Sequence, residues 1–289
     1  MKRLNLPISI RIARWIRKGS RITLWLSTGC LLIDLMSPLG GPTAALWVAI
    51  VLAILIDLSA LKIGQRLASR EFAALIAANP VTNHRIILYL RSFNMARRSL
   101  GAMFMLQVLH IVHLVTLLEG GHGEPDVHRP YGIEERLDEA IGLNAMFVAI
   151  GDQLLSYGAA KIPVKDEDWQ NIFYRLANAS QLIFMLPGRS PGALWELGQI
   201  LRSRRLLEKT VFIMPAAFSS EWEHVSVEAA EIGVRLPRYF RNGCYFRLRE
   251  DGQPTEIVAL EPFTRALSKF VASPAYTGVI DFADVLKLV

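Results

Sequence analysis

Residues 181–198 read QLIFMLPGRSPGALWELG. The stretch opens with an apolar run, Gln181 to Leu186, too short for a helix and rich enough in β-formers to be a strand buried on both faces. It passes through Pro187, Gly188, Arg189 and Ser190 into a helical pattern. Ser190 suits the N-cap, and Pro191 suits the first helical position, where its missing N–H costs nothing. Gly188 and Gly192 permit close backbone approach. The helix start should therefore present N–H groups to an anion such as phosphate. On a helical wheel, Ala193, Leu194, Leu197, Ile200 and Leu201 form the inward stripe. Glu196 falls at its edge, roughly 100° from the centre, and Trp195 points roughly the other way.

The same unit repeats on either side. Apolar runs at 85–90 (RIILYL), 146–150 (MFVAI), 210–214 (TVFIM) and 244–248 (CYFRL) alternate with helical patterns at 133–141, 168–179, 191–204, 220–233 and 262–270. A short piece at 161–164 (KIPV) can only be an edge strand, because Pro163 cannot donate to a ladder. Strands without a polar face, separated by helices, predict an α/β fold with a doubly wound, mainly parallel sheet over residues 84–289. Ligands of such sheets bind beyond the carboxyl ends of the strands. That rule nominates Arg91, Ser92 and Phe93 after the first strand and Asp152 after the second. After the 181–186 strand it nominates Gly188, Arg189, Ser190 and Gly192, with Glu196 one turn further on. A Gly-Asp turn is the commoner reason for Asp152, and a flank carboxylate favoured by the helix dipole or paired with Arg189 is the plainer reading of Glu196.

Ahead of this domain the chain changes character. Segments 22–36 (ITLWLSTGCLLIDLM) and 43–61 (TAALWVAIVLAILIDLSAL) flank an uncharged turn at 37–42. At about 1.5 Å per residue they span roughly 22 and 28 Å, which predicts an N-terminal two-helix transmembrane hairpin over 22–61. The first span is short and needs its flanks or some bilayer thinning. A basic tail (1–21) precedes the hairpin and a linker (62–83) follows it. Lys2, Arg3, Arg11, Arg14, Arg17, Lys18 and Arg21 on one side, and Lys62, Arg66 and Arg70 on the other, place both termini in the cytoplasm of a multi-pass inner-membrane protein. The tail reads equally as an orientation signal and as a helix lying on the inner leaflet. Segment 100–118 has no formal charge. A third span there would put the rest of the domain outside, so a helix on the sheet or on the leaflet is expected. Residues 120–130 form a turn-rich loop, a lid by composition.

Charge narrows the function classes. Of 32 Lys and Arg and 26 Asp and Glu among 289 residues, ten basic and two acidic residues lie in 1–70. The anchor is thus basic and the large domain close to neutral, which argues against a nucleic-acid partner and for the lipid bilayer as the first partner. Cys30 and Cys244 fall in different compartments and cannot pair, and the six His residues match no metal spacing, so neither metal nor cofactor is expected.

The segment Gly192-Ala193-Leu194-Trp195-Glu196-Leu197-Gly198 resembles the G-T-x-x-E-x-G segment of nucleoside deoxyribosyltransferases, whose fold is kin to TIR domains and to phosphoribohydrolases of the lonely-guy type. Ser190 stands where the transferases place Asp, and Ala193 where they place Thr. Leu90-Arg91-Ser92-Phe93 resembles the Ser-aromatic end of the first TIR strand. With the hairpin, these features resemble uncharacterised bacterial membrane proteins with a TIR-like domain. The resemblance covers at most residues 84–216. It implies that Glu196 acts on the N-glycosidic bond of NAD or another nucleotide, in bacterial defence or signalling. The alternative it leaves is a module that senses a nucleotide, or assembles into a homo-oligomer, without chemistry. The topology has a direct test: a reporter fused after Val289 is expected to be active only in its cytoplasmic form, and periplasmic activity would overturn the two-span reading.

Overall fold

The computed structural model describes residues 86–91, 130–142, 145–151, 158–162, 164–165, 167–216, 219–273 and 282–289. The hairpin, the basic tail, the linker and segment 100–118 lie outside them. Among the described residues no helix is long and apolar enough to cross a membrane.

The chain order is β1 (Ile86–Leu90), α1 (Pro130–Ile141), β2 (Met146–Ile150), β3 (Ala160–Ile162), α2 (Trp169–Ala179), β4 (Leu182–Met185), α3 (Pro191–Arg202), α4 (Arg204–Glu208), β5 (Thr210–Met214), α5 (Ser219–Glu231), β6 (Cys244–Leu248), β7 (Pro254–Ala259), α6 (Leu260–Ala272) and α7 (Phe282–Leu286). The strands form one seven-stranded sheet in the order β3-β2-β1-β4-β5-β6-β7. The first five are parallel, and β6 and β7 close one side as an antiparallel pair. The fold is therefore mixed α/β with a mostly parallel sheet.

Every residue of β1, β2, β4 and β5 is buried, which explains why their sequences show no alternation. The period-two pleat divides these side chains between two layers. Ile86, Leu88, Leu90, Ile183 and Met185 face α2, α3 and α5, where they meet Phe173, Leu176, Leu197, Ile200 and Trp222. Ile87, Tyr89, Phe147, Leu182 and Phe184 face the other way, towards Ile133 and Leu137 of α1, Phe263 and Leu267 of α6, and Val285 of α7.

Both sheet edges stop early. β3 has three residues and ends before Pro163. β7, which the sequence pattern did not reveal, begins at Pro254, carries an irregular register against Tyr245 and Arg247, and has Glu256 at a positive φ of 50°. Its partly exposed residues lack the apolar run by which the other strands are legible.

The second layer contains a charged cluster. Glu134 of α1 is buried and receives Lys161 of β3, the Ala159 N–H at 2.9 Å and the Arg91 guanidinium at 2.8 Å. Gly158 sits so close that a Cβ there would lie 2.5 Å from Glu134 Cγ, and its φ of +111° disfavours any side chain as well. The carboxylate thus ties α1 to the ends of two separate strands. Burial pushes the Lys161 ammonium down to about 8, against the opposing pull of Glu134. Removing one member of such a buried group leaves the others uncompensated. Glu134→Ala is expected to destabilise the domain by about 3–5 kcal/mol in chemical denaturation. Adding Lys161→Met, which removes the more deeply buried of the two orphaned cations at similar volume, should recover part of that loss, and no recovery would mean that the lysine charge is not what the carboxylate stabilises.

Candidate functional site

The strand order fixes where a site can form. The chain lays down β1, β2 and β3 in one direction, then returns to place β4 on the other flank of β1. The reversal between β1 and β4 is where a doubly wound sheet opens a crevice at its carboxyl edge. Leu90 is in register with Met185, and the Leu186 N–H donates to the Leu90 carbonyl at 2.9 Å. The backbone at Arg91 and the loop 187–190 therefore lie side by side, as the sequence predicts. Ser92, Phe93 and Asp152 lie outside the described residues.

The start of α3 has the expected cap. Ser190 has extended backbone angles, and its hydroxyl accepts from the Ala193 N–H at 3.2 Å. The Leu194 N–H bonds the Ser190 carbonyl at 3.0 Å. Pro191 has no N–H, so among the first four helical residues only Gly192 keeps a donor without a partner in the described residues. The anion cradle expected from the sequence is reduced to that one group. A Cβ at Gly192 would meet only the Trp169 ring, at 3.9 Å, so packing within the chain does not demand glycine there. Gly188 is buried in the loop.

The two arginines nominated for phosphate are occupied. Arg91 follows the β1 alternation to the α1 side of the sheet, where it bonds Glu134. It shares the carboxyl edge with the 187–192 loop but its side chain belongs to the opposite face from α3. Arg189 donates to Glu228 of α5 at 2.8 Å and does not pair with Glu196. The sequence places these residues at the correct edge. It cannot reveal their partners, because Glu134 and Glu228 come from helices 43 and 39 residues away in the chain. The only trace of the charged cluster in the sequence is Lys161, a cation inside the apolar stretch 159–164 (AAKIPV).

Glu196 departs furthest from expectation. It lies within the inward stripe of α3 with Ala193, Leu197 and Ile200, and only 3% of its surface is exposed. Among the described residues it has neither a hydrogen-bond nor an ion-pair partner. Burial alone pushes its carboxyl up to about 8 from an ordinary 4.5. Trp195, expected to point outwards, is half-buried and packs edge-on against Trp169 at 4.7 Å and Phe173 at 5.4 Å, joining α2 to α3. The apolar side of the helix is thus rotated from the predicted stripe towards Trp195 and Glu196. The aromatic rings of α2 draw Trp195 in, and the adjacent carboxyl is carried beneath the helix with it.

No protein family, curated protein or solved structure was found to match this chain. Among the described residues no group of His, Cys, Asp and Glu could hold a metal ion.

A carboxyl group buried without a partner is a cost to stability that grows as it is forced to ionise. The folded protein keeps the Glu196 proton between pH 4.5 and about 8, while the unfolded chain releases it. The folded state therefore binds more protons in this window, and its stability falls as pH rises. Glu196→Gln removes the dependence. The variant is expected to match the wild type near pH 4 and to gain over it by about 1.4 kcal/mol per pH unit towards pH 8, read from denaturant midpoints across pH. A constant difference would mean that Glu196 has a partner for its charge.

Proposed function

We propose that this protein is a membrane-anchored, TIR-like enzyme that takes a nucleoside or nucleotide at the β1/β4 crevice and cleaves its N-glycosidic bond with Glu196. The observation that carries the reading is the position of that carboxyl: one turn into the helix that starts beside the β1/β4 switch point, on a residue only 3% exposed, with no partner among the described residues. Evolved cores rarely keep such a group unless it acts. The anchor is the hairpin over 22–61, read from its length and flanking charge.

The chemistry suits one carboxylate. The bond from the anomeric carbon to the base breaks with its electron pair leaving on the base, and positive charge develops on the sugar. A nicotinamide leaving group is already cationic in NAD and departs neutral, so no general acid is required. Water then adds to the anomeric carbon and releases a proton. A carboxylate in a dry site stabilises the cationic sugar strongly, because little solvent screens it. The approaching cation also draws the proton from Glu196, which burial alone would retain. A non-catalytic nucleotide sensor is the second reading, which the same crevice supports; Arg91 and Arg189 are paired with Glu134 and Glu228, so in either reading a phosphate would have to draw one of them from its carboxylate.

Base release from NAD and from nucleosides by the full-length protein separates the two. Glu196→Gln should lower turnover by on the order of a hundredfold or more while the variant stays folded. In the wild type, kcat/KM should rise about tenfold per pH unit and level off above about pH 8, because the ionised carboxylate is the active form. Undiminished turnover in Glu196→Gln would remove the residue from the mechanism. Nucleotide-dependent thermal stabilisation without any turnover would select the sensor.

A further inference from the structure

The geometry points to a second functional surface: the amino edge of the sheet, where Arg202, Arg205, Arg235 and Arg249 converge, docks on the anionic lipid of the membrane that anchors the chain. The inference rests on the anchored reading of residues 22–61.

Three segments build this edge. The end of α3 and the whole of α4 lead into the start of β5. The turn 249–253 joins β6 to β7. The chain leaving α5 passes beside them. They are tied together where Arg204 reaches Glu250 at 3.4 Å and where the Arg235 N–H bonds the Gly252 carbonyl at 2.9 Å. A Cβ at Gly252 would lie 2.3 Å from the Gly233 carbonyl oxygen, so the turn and the end of α5 are in direct contact.

The acids of this edge are partly spent. Glu208 and Glu250 both engage Arg204, and Asp251 accepts from the Gln253 N–H within its own turn. On these three segments Glu231 is the remaining exposed acid; nearby, Glu256 of β7 engages Arg247, and Glu139 is exposed at the end of α1. Arg202, Arg205, Arg235 and Arg249 are exposed and have no ion pair among the described residues. Crowding of like charge is felt by Lys209, whose ammonium is lowered by burial first and then by the neighbouring Arg205. A domain that is close to neutral in total thus carries four guanidinium groups without an ion pair among the described residues along this edge, while Arg238 and Arg241 are exposed on the segment that leads back to the carboxyl edge.

The position of the tether selects the partner. β1 starts at this same edge, since its first residue, Ile86, pairs with Met146 and accepts from the Gln181 N–H. The chain reaching Ile86 comes from the second span through residues 62–85, a tether of at most about 80 Å. A domain of this size is roughly 40 Å across. The whole domain is therefore held near the leaflet at a high effective concentration, where individually weak contacts suffice, and the amino edge, where the tether enters, has the shortest distance to cover; the charge of that edge decides the face. Each arginine near an anionic surface strengthens association by about fivefold. Docking by this edge turns the carboxyl edge, with Glu196 and the 187–192 loop, away from the bilayer and towards soluble ligands.

The test uses the full chain in nanodiscs of phosphatidylcholine alone or with phosphatidylglycerol added, read by hydrogen exchange. Amides of 203–209 and 249–253 should exchange roughly tenfold more slowly in the anionic discs, and those of 187–192 should not change. Arg202→Glu, Arg205→Glu and Arg249→Glu combined, or molar salt, should abolish the difference. Equal exchange in both discs, protection centred on 187–192, or protection that appears only with added RNA would each overturn the proposal. The anchor has its own readout. If alkaline carbonate releases the chain from membranes, the anchored reading fails, and sedimentation with phosphatidylglycerol vesicles decides the docking edge alone. Arginine-dependent binding would support it, and no binding would overturn it.

Discussion

The pairing of β1 with β4 is the constraint on which the rest of the molecule depends. Two parallel strands cannot be joined by a tight turn, so each connection must cross a face of the sheet, and here helices cover both faces. The continuous apolar runs at 86–90 and 182–185 are soluble in no other arrangement. Because β2 and β4 flank β1 on opposite sides, the same pairing sets the switch point of the sheet at its carboxyl edge, with α3 starting beside it. The cost of that arrangement is concentrated in a few buried charges, and these are met very differently. Glu134 has three partners, whereas Glu196 has none among the described residues.

That contrast bears on how the site is read. A satisfied buried ion group, such as Arg91–Glu134–Lys161, is explained by its own geometry as a clamp between one helix and two strand ends, and it asks for no ligand. Glu196 has no such explanation. Its neighbours on α3 are apolar, and a leucine of similar volume would bury more favourably. The described packing therefore does not account for the identity of this side chain, and that is what the proposed role of Glu196 rests on.

Much of the fold is legible in the sequence, for a reason that also marks the limit. The five apolar strands, the edge piece at 161–164 and the five helices predicted over the described residues are those whose patterns are decided locally, by burial on one face or two or by a proline. β7 escapes because it is an edge strand with one wet side, Pro254 at its start and a residue out of register. The helical run expected over 191–204 divides at Ser203, whose side chain caps α4. The site is legible as a place but not as an arrangement. Periodicity places Glu196 one turn above the loop after β4, and the rule of strand ends places Arg91 beside it. Which way Arg91 turns depends on the parity of β1, and what it meets depends on α1. The burial of Glu196 depends on the rings of Trp169 and Phe173, which rotate the helix relative to its own hydrophobic stripe.

The two blunted borders of the sheet have a consequence of a different kind. If the chain is anchored as proposed, it meets its own copies far more often than a protein free in solution, and an open strand border in that setting would template fibrous stacking. β3 offers only three residues before Pro163, and β7 offers a proline, an irregular register and a charged residue in a left-handed backbone conformation. Neither border can accept a long run of backbone bonds from a neighbour. Edge-to-edge pairing through the described strands is thereby made costly, which is what crowding in two dimensions would demand.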